Sequence, residues 1–139
     1  MNDPLDELYL TPRGWMVRWH QARLWLYVAG DVAGPSPAHL ATLRDLVARW
    51  PEVCASIEAY LRRLLPDGQV ALRGRGSEGF AAASCGFDQP FLVDSVAVDD
   101  PAAPARARVL FCTGQPDGYV TFEAALEAGV PLSLDSFCS

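Results

Sequence analysis

The sequence predicts an α+β domain: an antiparallel sheet from two β-meanders, with a helix pair inserted between them and packed on one face. Three observations predict it. Residues 14–28 and 106–126 alternate apolar and polar positions with period two. Residues 37–64 instead repeat apolar side chains every three or four positions. Runs of strands separated by helices, without regular βαβ alternation, belong to the α+β class. The 139 residues suit one domain, 1–139, of a size that buries about two thirds of its unfolded surface.

In chain order, LDELYL at 5–10 offers a short first strand, and Thr11-Pro12-Arg13-Gly14 a turn. Trp15, Val17 and Trp19 then alternate, as do Leu24, Leu26 and Val28. A turn at Gln21-Ala22 sets Arg18 opposite Trp25. The competing register would face Arg18 with Arg23, which like charges disfavour. Ser36 is a good helix N-cap and Pro37 a good first helical residue. Leu40, Leu43, Val47 and Trp50 form one stripe; after Pro51, Val53, Ile57, Leu61 and Leu64 form the next. Trp19 and Trp50 are expected to be buried. Pro66-Asp67-Gly68 stops the second helix.

Residues 69–89 are poorly patterned, with a short strand near Gln69–Arg73. Glycines 74, 76 and 79 match the spacing G-x-G-x-x-G, but no apolar helix follows them, so a phosphate loop is not expected. FLVDSVAV at 91–98 is a strand rich in β-formers. Residues 99–104 connect it to the hairpin 106–126, where Gln115-Pro116-Asp117-Gly118 suits a type I turn with a bulge at Gly118. That turn pairs Gln115 with Tyr119. It places Leu110, Cys112, Val120, Phe122 and Ala124 in the core, and Phe111, Thr113, Thr121 and Glu123 on the wet face. Leu132, Leu134 and Phe137 read as an extended tail.

Half of the residues are hydrophobic and a fifth charged, which fits a globular chain. No apolar run approaches the roughly 18 residues of a membrane span, and the N-terminus is acidic where a signal peptide is basic, so a cytoplasmic protein is expected. The net charge of −6 argues against a nucleic-acid partner and permits a basic protein partner. All eleven basic residues are Arg, which removes Schiff-base chemistry. Cys54, Cys85, Cys112 and Cys138 form no C-x-x-C pair and are expected to be reduced thiols, with Cys54 and Cys112 in the core.

LYLTPRGWMVRWHQARLWLYVAG, the helix pair ending LVARWPEVCASIEAYL, FLVDSVAVDD and VLFCTGQPDGYVTF together resemble small bacterial α+β domains, some of which occur as immunity proteins beside polymorphic toxins. The resemblance covers most of the chain. It implies a binding module and transfers no catalytic residue.

The candidate chemistry agrees. His20 and His39 have no local nucleophile signature and read as surface or turn histidines. Two His and four scattered Cys lack metal-site spacing, so neither metal nor cofactor is expected. Asp88, Asp94, Asp99 and Asp100 form the densest acidic region, with Asp94 interrupting an apolar strand and Asp99 and Asp100 in a solvated loop. Arg18, His20, Arg23, Trp25 and Tyr27 share the second face of the first hairpin, and Arg, Trp and Tyr are residue types that dominate binding hot spots. The expected function is non-enzymatic protein binding, as by a cytoplasmic immunity protein neutralising a basic toxin. Contacts would come from Arg23, Trp25 and Tyr27, or from Asp88, Asp94, Asp99 and Asp100. The alternatives are a small enzyme with an unrecognised site and a homo-oligomeric structural module.

Overall fold

The computed structural model describes residues 3–64, 72–74, 91–115 and 118–138. Pro4–Glu7 form a 3-10 turn rather than strand, capped by the Asp3 carboxylate, which accepts the Leu5 N–H at 2.9 Å. Strand β1 is confined to Tyr9–Thr11. Strands β2 (Gly14–Trp19) and β3 (Leu24–Val28) follow, with Arg18 opposite Trp25 as expected. A two-strand ribbon, β4 (Gly30–Asp31) and β5 (Gly34–Pro35), leads into α1 (Pro37–Ala48) and α2 (Trp50–Leu64). Then come β6 (Leu72–Gly74), β7 (Phe91–Val98), β8 (Arg106–Gln115), β9 (Gly118–Glu127) and β10 (Val130–Cys138).

Both helices pack on one side of a sheet ordered β1-β2-β3-β7-β8-β9-β10, with β6 beside β7. Each meander is antiparallel, but the two meet in parallel: Trp25 pairs with Ser95 and Val28 with Val98. The join makes the sheet mixed, because the helix pair carries the chain back before β7 begins. The expected tail is a full strand, β10, paired along β9.

The inner face runs through Val17, Leu26, Val96, Val109 and Ala124, which are cross-strand neighbours and all buried. Leu43, Leu46, Val53, Ile57 and Leu61 cover them from the helices. Fully burying a side chain of this size contributes about 1.5–3 kcal/mol. The α1 stripe is His39, Leu43 and Leu46, continued by Trp50 at the start of α2, while Leu40 and Val47 flank it half-buried. Trp50 is 5% exposed, and Trp19 is only half-buried against it.

The second hairpin departs from expectation by one residue. Gln115 pairs with Gly118, so Phe111 faces Phe122 and Leu110 faces Glu123. A one-residue slip turns a strand over. Phe111 is therefore fully buried, stacked on Phe122 at 5.4 Å, and Leu110 and Cys112 lie half-buried on the other face. The β9 assignments of Phe122 and Ala124 to the core stand. The turn conformation at Pro116-Asp117, the Pro66-Asp67-Gly68 stop and residues 75–90 lie outside the described residues.

Candidate functional site on the sheet face opposite the helices

The face away from the helices carries two cross-strand rows. One runs Met16, Tyr27, Ala97, Arg108, Ala125; the other Arg18, Trp25, Ser95, Leu110, Glu123, Asp135. The Arg18 guanidinium lies 5.3 Å from the Trp25 ring centre, a cation–π contact.

The parallel join between β3 and β7 puts the two sequence-predicted patches beside each other. A shallow depression of about 260 Å³ is floored by Ser95 and Ala97 and bounded by Tyr27, Leu110, Asp94, Asp99, Arg108 and Arg13. Trp25 adjoins it through its pairing with Ser95. Asp94 is the extra residue of a bulge: Val93 pairs with Phe111 and Ser95 with Leu110, so Asp94 stands exposed without breaking the inner row. That is how an apolar strand accommodates a carboxylate.

Asp99 is ion-paired rather than simply solvated. Arg108 reaches it at 2.7 Å and Glu123 at 2.8 Å. Burial works against the Arg108 charge, but the two carboxylates outweigh it and raise its pKa. Arg23 is exposed in the β2–β3 turn with a left-handed backbone (φ 55°), outside the depression. The Asp100 carboxylate accepts the Ala102 N–H at 3.0 Å, and this residue too lies off the depression. Asp88 and Cys85, and the side chain of Cys138, lie outside the described residues.

His39 is not a surface histidine. It is 6% exposed, with Nδ1 2.7 Å from Ser36 Oγ and Nε2 2.7 Å from the Asp100 carbonyl oxygen. The spacing 39, 43, 46, 50 carries the missed signal, since it is as good a helical stripe as 40, 43, 47, 50. Ser36 is at the N-cap position but makes no side-chain cap bond to the helix.

Cys54 is buried, and burial, reinforced by the nearby Glu58 charge, pushes its thiol pKa far up. Cys112 is a half-buried thiol. Among the described residues, no three His, Cys, Asp or Glu side chains are grouped to hold a metal ion, and no helix is long and apolar enough to cross a membrane. No protein-family model, curated protein or solved structure matches the chain.

Proposed function

We propose that this is a protein-binding module whose sheet face opposite the helices holds a basic protein partner. The observation that carries the reading is the meeting of Tyr27, Asp94 and Asp99 in one depression, with Trp25 adjoining it. Half-buried aromatics offer rigid contact area at little entropic cost, and the exposed Asp94 carboxylate attracts a basic surface. The net charge of −6 acts in the same direction. A cytoplasmic immunity protein that covers a basic toxin is the specific form of this reading, and it rests on the sequence resemblance.

The experiment is affinity capture from the source cell, followed by binding of the purified partner to Trp25→Ala and Asp94→Asn. A basic partner that dissociates faster from folded Trp25→Ala, and associates more slowly with Asp94→Asn at low salt, supports the reading. A partner indifferent to both substitutions sinks it.

A further inference from the structure

The far end of the β3/β7 join carries a different arrangement. Both strands end at one rim, where the Ala29 N–H donates to the Val98 carbonyl at 2.9 Å. From there the chain leaves β3 through residues 29–36 into α1, and leaves β7 through residues 99–105. Between the two connections lies an open groove of about 590 Å³, lined by Gly30, Asp31, Gly34, Ser36, His39 and Pro101 among others. The carboxyl ends of neighbouring parallel strands, beside a helix N-terminus, are where open sheets place ligand sites. The volume suits a small organic ligand.

The hydrogen bonds of His39 fix its tautomer. A backbone carbonyl can only accept, so Nε2, facing the Asp100 oxygen, carries the hydrogen. In the neutral ring Nδ1 then holds the lone pair, and the Ser36 hydroxyl at 2.7 Å donates to it. The result is a hydroxyl, a base within hydrogen-bond reach, and a third group orienting the base. An N-cap serine ordinarily turns its oxygen to a helix N–H; here Ser36 makes no such bond. Pro35 and Pro37 bracket Ser36 and restrict its backbone. The first intrahelical bond runs from the Leu40 N–H to the Ser36 carbonyl. The positive end of α1 therefore lies beside Ser36 and favours negative charge developing there.

We infer that Ser36 and His39 form an acyl-transfer site for small uncharged carboxylic esters. The lining supports that class: Ala29, Ala33, Pro35 and Pro101 are apolar, and Asp31 disfavours an anionic substrate. Ser36 Oγ attacks the ester carbonyl carbon while its proton passes to His39 Nδ1. The tetrahedral intermediate collapses, the ester C–O bond breaks, and the leaving alcohol takes that proton. Water then attacks the acyl carbon and gives a proton to Nδ1. Ser36 Oγ departs and recovers that proton as the carboxylic acid leaves. The Asp100 carbonyl positions the ring and takes no part in the proton transfer.

The site goes beyond the binding surface, shares none of the depression's lining residues, and can fail without it. The test treats the full chain with a fluorophosphonate, which modifies activated serine, and locates the label by peptide mass. A p-nitrophenyl acetate assay follows turnover. The expected results are one label at Ser36, loss of label and turnover in Ser36→Ala with unchanged circular dichroism, and labelling slowed about a hundredfold in His39→Gln. Should His39→Gln unfold, Ser36→Cys replaces it. Its thiolate, activated by the same ring, should react with iodoacetamide faster than Cys112 does. Folded wild-type protein left unlabelled at Ser36, turnover that survives Ser36→Ala, or a Cys at position 36 no more reactive than Cys112 would overturn the inference.

Discussion

The Trp19 indole stands edge-on to the Trp50 indole, ring centres 6.0 Å apart and planes at 65°. The contact joins the end of β2 to the start of α2, so one pair of rings pins the helix junction to the first meander. Trp50→Ala should lower stability by about 3–5 kcal/mol, and Trp19→Ala, only half-buried, by clearly less. Urea midpoints of the two variants check the order. Equal shifts would mean that Trp19 carries more of the core than its burial implies.

Gly30 has no space for a side chain. A Cβ there would lie 2.5 Å from the Gly34 carbonyl oxygen and 2.8 Å from Trp15 Cδ1. Trp15 also donates its indole N–H to the Asp31 carbonyl at 2.8 Å. Gly30→Ala must therefore open the β4/β5 ribbon. Overpacking of this sort costs about 1–3 kcal/mol. A thermal melt superimposable on wild type would contradict the close approach.

The Arg49 side chain bonds the Asp45 carboxylate and holds its pKa below the ordinary 3.8, against a small opposing effect of desolvation. A depressed folded-state pKa adds stability above the unfolded value and loses it as pH falls through the folded one. The pair is largely exposed, so the effect is small. Asp45→Asn should be slightly less stable than wild type at neutral pH, with the difference fading in acid as wild-type Asp45 protonates. Denaturant titrations at both pH values read this, and a difference that grew in acid would reverse the sign.

The Cys54 thiol should resist alkylation in the folded protein, because burial disfavours its thiolate. Cys112, half-buried, should react before Cys54. Peptide mapping after timed iodoacetamide treatment distinguishes the two.

The sequence was most readable where a physical penalty separated the choices. The first hairpin's register follows from keeping Arg18 away from Arg23, and the structure has Arg18 opposite Trp25. No such penalty separated the registers of the second hairpin. Gly118 serves equally as a loop residue or as the first residue of β9, and only the partner strands decide. The same limit hid the parallel join, since nothing local to β3 or β7 states which strand each will meet. An imidazole in a helix's first turn reads as a surface group, whereas the two nitrogens of His39 are satisfied by Ser36 and by a carbonyl 61 residues away.

The join also shapes how the chain reaches its fold. Strands within each meander meet across short turns, but Trp25 and Ser95 are about 70 residues apart in sequence. Closing that loop costs entropy before any pairing rewards it. The two halves can therefore organise early, with the seam between β3 and β7 as the late, rate-setting encounter. Substitutions along the seam, such as Leu26→Ala or Val96→Ala, should then slow refolding. Positions whose contacts form only after the seam closes should chiefly hasten unfolding.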